Sequence, residues 1–175
     1  ILGASGEETV EDLINFDITP SVFTYEFAKA LSYEAERKEK VTKIHIKIDT
    51  GMSRIGFLAG ENNEEIVDEI IKISKLPYIE IEGIFSHFAT SDEYDKSYTL
   101  LQYGRFMDVC NRLEEKGLNI PIKHICNSAA IMMYPEMHLD MVRPGVILYG
   151  MYPSDEVDKS RLDLIPAMTL KSTIT

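Results

Sequence analysis

Ile44, Ile46 and Ile48 alternate with Lys43, His45, Lys47 and Asp49, the two-residue period of a β-strand with one apolar face. Thr50-Gly51-Met52 follows at once, a glycine break at which the chain can turn. On either side the pattern changes element by element. Ile18 to Phe23 predicts a short strand, and Thr24 stands where it would cap a helix carrying Phe27, Leu31 and Ala35 on one stripe. Asn62 or Asn63 would cap the next helix, with Ile66, Val67, Ile70, Ile71 and Ser74 at helical spacing and Pro77 as its stop. Ile79 to His87 reads as a strand. A long helix from about Tyr98 aligns Tyr103, Phe106, Cys110 and Leu113 and ends at Lys116-Gly117. Ile122 to Cys126 and Leu139 to Arg143 are further strand candidates, the second broken by Pro144-Gly145. Ile1 to Gly3 is expected to be the end of a strand, and a last strand is expected from Met168 onward.

Strands alternating with helices through short turns define a parallel α/β sheet. A full (β/α)8 barrel needs about 250 residues, so 175 residues would hold only part of one. An open flavodoxin-like sheet suits the length but predicts a phosphate loop after its first strand. Neither GxGxxG nor GxxxxGK[ST] occurs. Hydrophobic residues at 45% and charged residues at 27% are ordinary globular usage. The formal net charge of -11 argues against nucleic acid or an anionic membrane surface as the main partner. No apolar run is long enough to span a bilayer. Cys110 and Cys126 lack metal-ligand spacing and suggest a reducing compartment. ILGASGEE has neither a basic region nor an initiator Met, and Thr173-Ile174-Thr175 stops inside an alternation, so both ends look cut.

Chemistry gathers where strands end. In a barrel, polar groups at the carboxyl ends of strands read as function rather than stability. The strand through Ile46 ends with Lys47, Asp49 and Arg54; the next ends with His87 and Asp92. The third places His124, Cys126 and Ser128 on one face with Asn127 between them, and the fourth ends with Arg143. Each has a plainer explanation. The first strand could be an edge with a solvated face, Asn127-Ser128 could cap a helix, Arg143 could pair with Asp140, and Lys47 could snorkel. Taken together they favour one site, and two arginines, a lysine and a serine-plus-glycine turn suit an anion bearing phosphate or carboxylate. No metal constellation and no Gly-x-Ser-x-Gly elbow is present.

At these residues the sequence resembles the alanine racemase family of pyridoxal-phosphate enzymes. The matching segments are KIDTGMSRIGF (Lys47 to Phe57), EGIFSHFATSD (Glu82 to Asp92), HICNSAA (His124 to Ala130) and VRPGVILYG (Val142 to Gly150). PAMTLKSTI (Pro166 to Ile174) is similar to the family's crossing into a C-terminal β domain. The resemblance implies a partial TIM barrel over residues 1–165, first strands missing, with residues 166–175 leading into that β domain. It implies that Arg54 contacts the cofactor's phenolic oxygen and the substrate carboxylate, with Met52 beside the substrate. Lys47 would orient Arg54; in many members the equivalent lysine is carbamylated, which requires the neutral amine. Arg143 would donate to the pyridine nitrogen. A guanidinium cannot give up its proton near neutrality, so the ring stays a weaker electron sink and proton return is favoured over transamination. His87 would lie beside the ring and His124 behind Arg143. Ser128 and the N–H groups of Gly145 and Val146 would hold the phosphate, with Asn127 supporting the turn.

Two family features are absent from the sequence: the VKANAYGHG-like segment bearing the cofactor-attachment lysine, and the acid/base tyrosine of the C-terminal domain. Racemisation by two bases needs one on each face of the α-carbon. The resemblance therefore implies a cytoplasmic, bacterial, homodimeric parent enzyme that interconverts L- and D-alanine for peptidoglycan precursors. It also implies that this chain is inactive alone. Serine as substrate, as in vancomycin-resistance racemases, and a non-catalytic pyridoxal-phosphate-binding barrel are the alternatives it leaves.

Overall fold

In the computed structural model, which describes residues 1–173, five strands lie in one parallel arrangement. They are β1 (Ser21–Val22), β2 (Thr42–Asp49), β3 (Phe57–Leu58), β4 (Ile79–Phe85) and β5 (Ile122–His124). The sheet order is β1-β2-β4-β5, with β3 pairing only the carboxyl end of β2. The helices are α1 (Val10–Asn15), α2 (Tyr25–Arg37), α3 (Glu64–Ile73), α4 (Ser97–Glu115) and α5 (Ser128–Met133). Successive helices α1, α2, α3 and α4 contact one another in chain order along the outer face. Parallel strands in near-sequential order with helices on one side are a section of a (β/α)8 barrel.

The isoleucine row decides which face is which. Ile44, Ile46 and Ile48 are completely buried and join Phe27, Leu31, Val67, Ile70, Phe106 and Val109 in the main core, between sheet and helices. The opposite face of β2 then carries His45 and Lys47 toward the barrel interior. Thr24 caps α2, its Oγ1 accepting from Phe27 N–H at 3.3 Å, as the pattern predicts. At α3 the division of labour differs: Asn62 Oδ1 accepts from Glu64 N–H, while Asn63 occupies the N-cap position and turns its side chain to Gly60 N–H and Asp108.

Three expected strands are not formed. Ile1 to Gly3 is irregular, held by the Ser21 hydroxyl donating to the Ile1 carbonyl. Leu139 to Arg143 runs beside β5 without laddering to it. Leu139 has φ 52°, which no strand residue adopts, and only Asp140 N–H and Arg143 N–H reach the carbonyls of Lys123 and Cys126. From Met168 to Thr173 the chain is exposed and without strand pairing; the rest of that expected strand, residues 174–175, lies outside the described residues. Helix α1 and the short β3 carry too little periodicity to be foreseen.

The register of β2 against β4 shifts between Ile44 and His45: Ile44 pairs Ile81, His45 pairs Gly83, and Glu82 is left unpaired in a β-bulge. Such a bulge re-aims side chains. Further along, the turn after β2 is held by Asp49, whose Oδ1 accepts from the N–H groups of Gly51 and Ser53 at 2.9 and 3.0 Å. Gly56 closes that turn at φ 133°, and a Cβ there would lie 2.5 Å from Asp49 N. Both the backbone angle and the close approach exclude a side chain. Gly56→Ala should therefore destabilise the protein by about 2 kcal/mol or more, read as a lowered urea midpoint; an unchanged midpoint would contradict this account of the turn.

Candidate active site

The carboxyl ends of β2, β4 and β5 carry a layer of inward side chains. Phe85 is the centre of it. Its ring stacks on His124 with centroids 4.8 Å apart, and both Lys47 Nζ and the Arg143 guanidinium carbon lie 5.2 Å from its centroid. These are cation–π distances. Arg143 comes from the irregular segment after α5, and its Nη2 donates to the carbonyls of Ser86 (2.7 Å) and Ile125 (3.2 Å) and to His87 Nδ1 (3.3 Å). Nη1 donates to His124 Nδ1. Since a guanidinium can only donate, both histidines must accept at Nδ1 and carry their proton on Nε2.

Two cavities of about 420 and 410 Å³ adjoin along this layer. The first is lined by Lys47, Arg54, Ile55, Phe85, His87 and Arg143, among others. The second is lined by His87, Asp92, Asn127, Ser128, Arg143, Gly145 and Val146, among others. Leu2, His87 and Arg143 are common to both, so the two form one cleft of ligand-binding size. Met52 lies half-buried in the turn between Gly51 and Arg54 but lines neither cavity. Arg54 is exposed, and among the described residues its guanidinium has no hydrogen-bond partner, Lys47 included. Lys47 Nζ instead donates to the Ile48 carbonyl at 2.9 Å. The structure thus brings Lys47, Arg54, His87, His124 and Arg143 into one place, but it does not show Lys47 orienting Arg54.

At the far end of the cleft Asn127 does cap α5, its Oδ1 accepting from Ala130 N–H at 3.0 Å and from the Ser91 hydroxyl at 2.8 Å. Ser128 is buried, and its Oγ accepts from Gly145 N–H at 2.8 Å. The N–H of Gly145 is therefore already used, and the serine's own O–H proton is what remains to offer a ligand. Val146, the first residue of a short 3-10 turn, has no acceptor within that turn for its N–H.

Gln102 was hidden from sequence reasoning because it occupies the apolar stripe of α4, four residues before Phe106. It is fully buried, and its Oε1 accepts from Ala89 N–H at 2.8 Å while Nε2 donates to the His87 carbonyl (3.1 Å) and Thr50 Oγ1 (3.3 Å). One amide thereby ties the end of β2 to the loop after β4. Phe85 was missed for a related reason: it reads as core.

The electrostatics are one-sided. Burial lowers Arg143 to about 10 and Lys47 to about 8, so both remain largely charged near neutrality. Arg54 adds a third cation. Asp49 is buried nearby, but its Oδ1 is engaged by the turn amides. The cleft is cationic within a chain of net charge -11, a composition that calls for an anionic ligand.

Fold and cleft define a class: a (β/α)-barrel domain with a cationic cleft at the strand carboxyl ends. The family model for the N-terminal domain of alanine racemase matches residues 1–153, and the chain belongs to that family. It is 54% identical to the alanine racemase of Clostridium tetani over 174 residues, covering 99% of this chain and 44% of the relative. The solved alanine racemase of Clostridium difficile 630 in complex with cycloserine is similar, with TM-score 0.91 and 48% identity over 95% of this chain and 45% of that one. That of Bacillus anthracis with bound L-Ala-P gives TM-score 0.85 and 31% identity over 95% and 42% respectively. The chain spans less than half the length of the curated relatives it matches.

Desolvation, with Arg143 close by, lowers His87 to about 4 and His124 to about 3 from an ordinary 6.5. An unfolded imidazole takes up its proton near pH 6.5, whereas the folded ones resist until near 4 and 3. The unfolded state thus binds more protons across that window, so stability is full above it and falls as pH drops from 6.5 toward 4. Urea unfolding at several pH values should show this slope, and His87→Asn should flatten it; an equal slope in the variant would refute the depressed His87.

Proposed function

We propose that the protein containing this chain is a pyridoxal-phosphate-dependent alanine racemase, cytoplasmic and homodimeric, which supplies D-alanine for peptidoglycan. Residues 1–165 contribute the barrel face of its active site, and residues 166–175 lead toward a C-terminal β domain. The observation that carries this reading is the single cleft holding Arg54, His87 and Arg143 at one end and Ser128 with Gly145 at the other.

The residues present fit the cofactor. The cleft has the volume, three cations meet an anionic ligand, and the absence of a side chain at Gly145 leaves the space beside Ser128 open; a Cβ there would sit 3.4 Å from Ser128 Oγ. Pyridoxal phosphate supplies the ring that acidifies the amino acid's α-proton. Toward it, the Ser128 hydroxyl and Val146 N–H hold phosphate, with Asn127 fixing their turn. Arg143 donates to the pyridine nitrogen without ever surrendering its proton. His87, neutral and protonated on Nε2, packs at the ring edge. Arg54, exposed and without a protein partner among the described residues, is available to bind the substrate carboxylate and the cofactor's phenolic oxygen, with Met52 adjacent. Lys47, lowered to about 8 by burial, stays mostly charged at neutral pH but has a larger neutral minority than an ordinary lysine. That neutral amine is what carbamylation would require, and the resulting anion would clamp Arg54.

In the full-length protein, Arg54→Ala should lower kcat/KM for alanine racemisation by about 100-fold or more, the scale for losing one preorganised charge contact. Turnover equal to wild type would sink the role given to Arg54. The 175-residue polypeptide alone, incubated with pyridoxal phosphate and L-alanine, should form no D-alanine, since the sequence holds neither the attachment lysine segment nor the opposing tyrosine.

A further inference from the structure

A side-chain series runs away from the cleft, and the proposed function uses only its first member. Arg143 Nη1 meets His124 Nδ1; His124 Nε2 meets His45 Nδ1 at 2.9 Å; His45 Nε2 meets Glu82 Oε2 at 3.4 Å. Glu82 Oε1 is in turn held by Lys43 Nζ at 2.6 Å. The two ends dictate every hydrogen between them. A guanidinium only donates and an ionised carboxylate only accepts. His124 must therefore accept at Nδ1 and donate from Nε2, and His45 must do the same. The series has one consistent polarity, Arg143 to His124 to His45 to Glu82.

Two backbone features make room for it. The β-bulge leaves Glu82 unpaired beside Gly83, with its carboxylate on the side of the sheet that bears Lys43 and His45. Gly83, which pairs His45, has no side chain where the imidazole lies; a Cβ there would be 2.5 Å from His45 Nδ1. Burial lowers both imidazoles, which keeps them neutral and able to accept as well as donate. Lys43 keeps Glu82 ionised, lowering its pKa through a hydrogen bond.

We propose that His45 and Glu82 are positioning residues for Arg143: they hold His124 as the Nε2–H tautomer, so that its Nδ1 lone pair faces the guanidinium and keeps Arg143 aimed into the cleft. The inference rests on the racemase reading only in assigning Arg143 to the cofactor ring. Without His45, His124 is free to move its proton to Nδ1, which would set proton against proton and turn the guanidinium away. Glu82 does for His45 what His45 does for His124. This is the logic by which outer partners fix the tautomer of a functional imidazole.

The test uses the full-length protein, cofactor-free and labelled with 15N-histidine, because side-chain nitrogen shifts report the tautomer directly. In the wild type both His45 and His124 should be Nε2–H. His45→Phe should give His124 a mixed or Nδ1–H tautomer. Glu82→Leu should disorder the His45 tautomer, and Glu82→Gln, which keeps an acceptor oxygen, should restore it. In the loaded enzyme His45→Phe should lower kcat by about tenfold or more, the scale for losing an outer-shell partner, with KM for alanine little changed. An Nδ1–H tautomer at either residue in the wild type, or a His124 unaltered by His45→Phe, overturns the proposal. If His45→Phe fails to fold, the Glu82→Leu and Glu82→Gln pair decides it: equal tautomers in both overturn it. Absence of racemisation by the wild type would count against the proposed function, whereas the tautomers judge the series by themselves.

Discussion

The structure depends on how β2 and β4 pair. Their ladder is regular on either side of one irregularity, and that irregularity separates two tasks. Before it, Ile44 opposite Ile81 belongs to the packing between sheet and helices. Beyond it, Ile46 and Ile84 continue that packing while His45, Lys47, Glu82 and Phe85 populate the interior. Continued in the register of Ile44 and Ile81, the pair would have set Glu82 directly opposite His45 and Ile84 opposite Lys47, on the inner face. One extra residue in β4 lets an apolar outer face and a polar inner face coexist on the same two strands.

Around that pair the site is assembled by side-chain hydrogen-bond clamps. Gln102 joins the ends of β2 and β4 from α4, Asp49 shapes the turn that carries Arg54, and Asn127 ties α5 to the loop after β4 through Ser91. The two amides, Gln102 and Asn127, specify geometry because each has donors and acceptors that only one arrangement satisfies. The cations are thereby left to face the cleft. Arg143 is the exception that shows the rule: its Nη2 is consumed by two backbone carbonyls and an imidazole, so it is fixed, whereas Arg54 is not.

Much of this was legible in the sequence, for identifiable reasons. The alternation of Ile44, Ile46 and Ile48 announced β2 and its inner face, Thr24 announced α2, and the stripe of Phe106, Cys110 and Leu113 announced α4. Polar residues at successive strand ends announced the cleft. What could not be read depends on pairing or on context. The bulge at Glu82 exists only relative to β2. Leu139 to Arg143 has strand-like residues, but a positive φ at Leu139 and the adjacent proline override them. Gln102 and Phe85 look like core positions, because their roles come from what the fold places beside them. The short α1 lacks the length for periodicity to speak.

The cationic cleft lies within an envelope of opposite sign, and this has a kinetic consequence. An anionic ligand approaching from afar meets the field of a chain with net charge -11; only close in does it feel Lys47, Arg54 and Arg143. Electrolyte screens the distant repulsion first, since the Debye length at physiological ionic strength is about 8 Å. Capture of a small dianion by this face should thus quicken as salt is added from very low levels, the reverse of ordinary electrostatic steering.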